Sequence, residues 1–353
     1  MRFGLMVDLG RTSPDISAQQ NLQQVTELVR TADEGGFDLI VTGEHHGHEM
    51  TVAPAPFTLL TYWSHLTTQV RLGTAVLCAP YWHPIRLAGE SALFDLISGG
   101  RLELGIGRGA YPYEFDRMAG GIPPEIARQQ LGELIPALRG LWAGNYEHRG
   151  SLWNFPSTTS TPRPLQPDGP PLWISARHPE VFEMAVRNRA NLMVAPLSRG
   201  FDEVESLMER RRQAMAKVRN GFAPEIMVLR DTYVCAPDED PLVPARYLRQ
   251  GEGYFSNLFK TDGNVDNGWV AWVDPDAAND SDDYHLENIV ANQAFGPADH
   301  VMQLMKQYER AGTDVYLYNA TWGAPFELEL QSLRRFCEEV IPAFASKRAT
   351  GPS

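Results

Sequence analysis

The sequence predicts an α/β protein built as a single (β/α)8 TIM barrel, with an inserted loop region before the eighth strand. Three observations lead there. Eight short apolar runs with strand character alternate with amphipathic helical stretches almost throughout. These runs are close to continuously apolar, as parallel strands covered on both faces are. The 353 residues contain no linker and no repeat of fixed period, so 1–353 reads as one domain of barrel size.

The first strand is expected over residues 2–7. A helix over 17–34 follows, with Leu22, Val25, Leu28, Val29 and Ala32 at helical spacing and Gly35-Gly36 to end it. Further strands are expected at 37–42 and 70–78, with a short helix over 54–67 between them. A helix over 84–97, stopped at Gly99-Gly100, leads to a fourth strand at 102–106. Residues 123–142 are helical, with Pro136 expected to kink them. The remaining strands fall at 171–175, 191–195, 225–235 and 314–318. Helices at 179–189, 201–219 and 297–311 fill the gaps, and one over 326–344 closes the chain. Residues 144–170 are irregular, with room for a small hairpin. Residues 262–281, rich in Asp, Asn and Gly, are too long for a bare connection and read as a lid or a mobile loop.

With 43% hydrophobic and 21% charged residues, the chain is neither a disordered polymer nor a fibre. No apolar run reaches the roughly 18 residues of a membrane span. The N-terminus lacks the pattern of a signal peptide. The three cysteines, Cys78, Cys235 and Cys337, form no CxxC and suit a reducing cytoplasm. A net charge of −13 argues against nucleic-acid or anionic-membrane partners.

Barrel chemistry sits at the C-terminal ends of strands. After the second strand come Glu44, His45, His46, His48 and Glu49. Such a cluster can transfer protons or ligate a metal, or it can be a solvated loop. A metal would need further histidines on later strand ends and an acid after the eighth. The fifth strand offers only His178 and the eighth ends Tyr318-Asn319-Ala320-Thr321, so no metal is expected. After the fourth strand, residues 105–110 match GxGxxA, but Pro112 follows where a dinucleotide-binding helix would continue. The stretch reads better as a glycine-lined strand end where Gly107 lets a ligand approach and Arg108 meets phosphate. The alternative is an Arg108 ion pair with Glu114 or Asp116. After the fifth strand, Arg177 and His178 precede Pro179 at a helix start, which makes either an anion site or an ordinary cap. One phosphate could meet both Arg108 and Arg177. His83 reads as a cap and Cys78 as a small buried hydrophobe. Trp82, Tyr111, Tyr113, Trp269, Trp272 and Trp322 could together wall a pocket.

In order and spacing, DLIVTGEHH at 38–46, VRLGTAV at 70–76, HPIRLA at 83–88, LFDLISGGR at 93–101 and GIGRG at 105–109 resemble the bacterial luciferase-like flavin monooxygenases. The resemblance implies a barrel that uses reduced FMN supplied by a separate flavin reductase. It implies that His45 is catalytic, that Tyr111 belongs to the active site and that Arg108 holds the flavin phosphate. Ala75-Val76 matches a non-proline cis peptide behind the flavin ring, and Arg177 and His178 match a phosphate-binding stretch. The helices at 54–67 and 84–97 match a dimer interface, so a homodimer is expected. Two departures stand out: Gly107 replaces the reactive cysteine of luminescent members, and Arg177-His178 replaces a Glu-Ser pair. The expected function is oxygenation of a small, largely apolar organic substrate. Two other readings share the pattern: a deazaflavin-dependent dehydrogenase and a non-catalytic flavin-binding subunit.

Overall fold

The computed structural model describes residues 1–260 and 263–344. Eight parallel strands close on themselves: β1 (Arg2–Met6), β2 (Leu39–Thr42), β3 (Arg71–Thr74), β4 (Leu102–Gly107), β5 (Leu172–Ser175), β6 (Asn191–Val194), β7 (Ile226–Cys235) and β8 (Val315–Asn319). Each pairs with its sequence neighbours, and β8 pairs with β1 to close the ring. The pleat separates two cores. Leu39 and Val41 of β2 join Trp173, Met193, Met227, Val315 and Leu317 inside the barrel. Ile40, between them, faces the helices in the larger outer core. One end of the lumen is tied by Glu103, which accepts from Arg71 Nε at 2.5 Å and Trp173 Nε1 at 2.6 Å.

The helices are α1 (Ala18–Glu34), α2 (Pro56–Ser64), α3 (Pro84–Ile97), α4 (Pro112–Met118), α5 (Pro124–Ala143), α6 (Pro179–Arg187), α7 (Phe201–Val218), α8 (Leu242–Leu258), α9 (Pro275–Asn279), α10 (Leu286–Asn292), α11 (Ala298–Ala311) and α12 (Phe326–Arg335). Ser17 caps α1 by accepting from Gln20 N at 3.1 Å. At the other end of α1, the Asp33 carboxylate accepts from the N–H groups of Thr68, Gln69 and Val70 and so fixes the entry to β3.

Departures from the sequence expectation have local causes. The third strand breaks at a cis Ala75–Val76 peptide and resumes at Leu77–Cys78 against β4. Residues 336–344 follow α12 as one wider and one tighter helical turn rather than continuing a single helix. Residues 144–170 do hold a hairpin, Tyr146–Arg149 against Asn154–Thr158. Helix α8 is not expected from sequence, since Pro244, Gly251 and Gly253 weaken its helical signal. The structure uses these glycines for close approach: a Cβ on Gly251 would collide with the Trp322 carbonyl, and one on Gly253 with the Trp272 ring.

Residue 262 lies outside the described residues, but 263–281 is built structure. Val265–Asp266 pairs with Trp269–Val270, and α9 follows, capped by Asp274. The hairpin is tethered where Gly268 O accepts from Glu49 N at 2.7 Å and where Arg11 lies over Trp269 at 5.2 Å. Val270 packs with Tyr111 and Leu258. No helix among the described residues is long and apolar enough to cross a membrane.

Candidate active site

The C-terminal ends of the strands open into a cleft with two lobes that share His45, Ala75, Ala195 and Leu197. The outer lobe, about 1170 Å³ of atom-free space, lies over the ends of β4 and β5 and reaches α6. Gly107, Arg108, Arg128, Ser175, Arg177 and His178 line it. The inner lobe, about 940 Å³, lies over β1, β7, β8 and α8.

The cofactor positions expected from sequence converge on the outer lobe. Arg108 makes no hydrogen bond or ion pair among the described residues, so its pairing with Glu114 or Asp116 is ruled out. Burial and the neighbouring Arg128 both lower its pKa, against Glu125, and each opposes a lone desolvated cation. Arg128 pairs with Glu180 at 3.3 Å, while Arg177 and His178 are exposed beside the first turn of α6. An anion would meet arginine charge and a helix N-terminus here. Gly107 lies against Val76: a Cβ at position 107 would stand 2.5 Å from Val76 Cγ2. The glycine therefore matches the valine beside it, and a cysteine there would displace that valine. A cradle kept open by glycine and an unpaired arginine fit a flavin with its phosphate.

The 43–49 loop divides its polar residues. Glu44 is 3% exposed and accepts from Cys78 N, Trp82 Nε1 and His46 Nε2, which ties β2 to the segment after β3. Glu44, His46 and Trp82 are therefore bound up in the wall. His45 is the histidine presented to both lobes. Its Nδ1 lies 3.1 Å from Glu114 Oε1, which also takes His46 N at 2.8 Å and His48 Nε2 at 3.2 Å. Burial pushes the Glu114 carboxyl upward, but the bonds from His45 and His48, the His45 charge and the His46 N–H outweigh it and hold it at about 2. An ionised Glu114 accepts from a protonated His45 Nδ1, so Nε2 is the ring nitrogen left to face the cleft.

Glu114 sits on α4, sixty-nine residues from His45, and nothing local in the sequence links them. One ligand atom each from His45, His48 and Glu114 lie within 4.8 Å of one another, close enough for a cation to stand where the protons do.

Tyr111, 3% exposed, stacks obliquely on His45 with ring centroids 5.0 Å apart and meets Phe255 and Phe259 edge-on. Burial, with Glu114 nearby, raises its pKa, so the phenol stays neutral. Among the other aromatics considered, Trp322 lines the inner lobe, Tyr113 bonds to Gly47 O, Trp269 belongs to the hairpin and Trp272 is 48% exposed. Phe255 and Glu252 come from the unforeseen α8. Leu197, shared by both lobes, has φ of +58°, and its carbonyl accepts from Arg230 and Gln293. The inner lobe is less apolar than expected, because Asp8, Asp231 and Glu252 all reach it.

The fold and this cleft are those of a flavin-type oxygenase barrel, and comparison with known proteins agrees. The family model for luciferase-like monooxygenases matches residues 1–315, and the chain belongs to that family. It is an enzyme of the flavin-dependent monooxygenase class: over 348 residues it is 42% identical to the oxygenase component of a flavin-dependent trigonelline monooxygenase from Acinetobacter baylyi, covering 99% of this chain and 97% of that one. A monooxygenase structure from Streptomyces bottropensis superposes with a TM-score of 0.81 at 25% identity, over 98% of this chain and all of that one. The oxygenating constituent of 3,6-diketocamphane monooxygenase from Pseudomonas putida, solved with FMN, shares the fold with a TM-score of 0.74 at 20% identity, over 97% and 98% of the two chains.

Proposed function

We propose that this chain is the oxygenase of a two-component system, taking reduced FMN from a separate reductase and placing one oxygen atom into a small organic molecule. The observation that carries this reading is the two-lobed cleft. One lobe ends on an arginine without a partner, the other is walled by aromatic rings, and His45 stands at their junction with a free Nε2. Reduced FMN, when bound, supplies the electrons and the activation of O2.

The protein's own groups do the rest. Arg108, Arg177 and His178, with the first turn of α6, hold the phosphate. Gly107, Ala75 and Val76 back the ring system. His45 gives or takes a proton at Nε2, and Glu114 fixes its tautomer from the other side. Tyr111, buried and neutral, packs His45 in place. The 265–270 hairpin backs Tyr111 through Val270 and Phe255 walls the inner lobe, an apolar surround that disfavours water beside a reactive flavin. The relative from Acinetobacter is named for trigonelline, and a compound of that small, ring-bearing kind suits the inner lobe.

Four large apolar side chains are exposed on α2 and α3: Tyr62, Leu93, Leu96 and Ile97. They form the face on which a second copy docks as a homodimer. Three cysteines without disulfides suit the cytoplasm. The test is a titration of the purified protein with FMN and with a deazaflavin cofactor, followed by oxygen uptake with reduced FMN. The reading stands if FMN binds more tightly. Preference for the deazaflavin, with no oxygen uptake, would replace it with hydride transfer.

A further inference from the structure

Leu197 stands in a backbone conformation that its own side chain resists. It follows β6, and Pro196 O accepts from Arg199 N at 3.2 Å, so the chain turns over 196–199 with Leu197 in the second place. Its φ is +58°, and no other residue of the turn has a positive φ, a pattern that ordinarily puts glycine at this position. The other non-glycine residues with positive φ among those described are Arg189, Arg219, Asn267 and Asp280. They follow a helix or sit in a hairpin turn, where that conformation is usual. Leu197 does neither: it leads from a strand end into the cleft and is 41% exposed.

The surrounding structure holds this turn in place. Arg230, on β7 and buried, donates from Nη1 to Leu197 O at 2.8 Å and from Nη2 to Arg199 O at 2.5 Å. Gln293 Nε2 donates to Leu197 O at 2.9 Å, and Asn292 Nδ2 to Ser198 O at 3.0 Å. Side chains of β7 and of the end of α10 therefore fix three successive carbonyls, 197–199. Among the described residues Arg230 makes no ion pair, and its remaining bonds go to Tyr308 and Gln293. The planar fork of an arginine can reach two carbonyls at once in this way, which a lysine cannot. Strain of this kind persists only where neighbours over-determine it, and it concentrates at functional sites.

What the strained turn places is the leucine itself. The two lobes share His45, Ala75, Ala195 and Leu197. His45 is tied to Glu114 and the alanines have no reach, so among these four Leu197 is the aliphatic side chain long enough to divide the lobes. We propose that Leu197 is a specificity-determining residue: it is a wedge that sets how closely a molecule in the inner lobe approaches the ring system in the outer lobe. Arg230 is the positioning residue that holds it there. This rests on the reading of the outer lobe as the flavin site.

Acrylamide quenching of the fluorescence of FMN bound to the full-length protein tests it, because acrylamide is a small neutral probe of access to the ring. The quenching constant should at least double in Leu197→Ala and Leu197→Gly and should fall in Leu197→Phe, an order that general loosening would not produce. The thermal midpoint of Leu197→Gly should lie above that of Leu197→Ala by about 2 °C or more, because glycine accepts the positive φ that alanine resists. Arg230→Lys should raise quenching in the native background and add nothing to Leu197→Gly. Equal quenching across the Leu197 series, or an alanine variant as stable as the glycine one, would overturn the proposal. Should Arg230→Lys not fold, the Leu197 series still decides. If the native protein binds FMN and the series shows no trend, the wedge alone falls; if it does not bind FMN, the oxygenase reading falls and the wedge with it.

Discussion

Replacing Arg108 with alanine isolates the phosphate contact. The guanidinium is half-buried and has no hydrogen-bond or ion-pair partner among the described residues, so the substitution breaks no ion pair there. It also relieves repulsion with Arg128, so the thermal midpoint should hold steady or rise slightly. Binding should suffer instead. A hydrogen bond to a charged group contributes about 1.5–3 kcal/mol, which corresponds to a factor of roughly 10 to 150 in affinity. The lower part of that range is expected, because Arg128 and Arg177 remain in the lining and can partly replace the lost charge. Flavin fluorescence titration measures the change, with riboflavin as the control that lacks phosphate. FMN affinity should fall at least tenfold while riboflavin affinity moves less than twofold. Equal losses for both ligands would place Arg108 under the ring or in the scaffold and refute the assignment of the outer lobe to phosphate.

Three other outcomes follow from the same geometry. His45→Ala should retain flavin binding but lose coupling: product per flavin oxidised should drop by roughly 10²–10⁴, with hydrogen peroxide appearing in its place; a variant that stays coupled would make His45 structural. Glu114 sits below its ordinary carboxyl value, at about 2, so its stabilising effect is complete above pH 4.5 and is lost as pH falls through about 2. Over that window urea midpoints should show the native protein losing up to about 3 kcal/mol that Glu114→Gln does not lose, and parallel acid profiles would contradict the ionised carboxylate. Light scattering at micromolar concentration should give a dimer mass, and Leu93→Arg combined with Ile97→Arg should give a monomer; a native monomer would exclude the α2–α3 face as an interface.

The barrel was legible because parallel strands and their covering helices write their periodicity into the chain. The strand ends were legible with it, and so were His45, Gly107 and Arg108, since each directly follows or ends an apolar run. Helix α8 was hidden by its own glycines, which serve packing against Trp322 and Trp272 rather than helix propensity. The break in the third strand could not be read from 70–78 because apolar residues continue through it, and it entered the sequence reading only through family resemblance.

Local order was therefore written in the chain: eight strands, most of the helices that cover them, and the polar residues that stand at strand ends. Which of these residues meet depends on how the elements pack against one another. His45 takes its Nδ1 partner from Glu114 on α4, and Arg108 is left without a hydrogen-bond or ion-pair partner among the described residues. Asp8, Asp231 and Glu252, distant along the chain, converge on one cavity. The physical reason is that periodicity encodes which face of an element is buried, whereas pKa values, unpaired charge and the polarity of a cleft depend on distances between elements that no local pattern records.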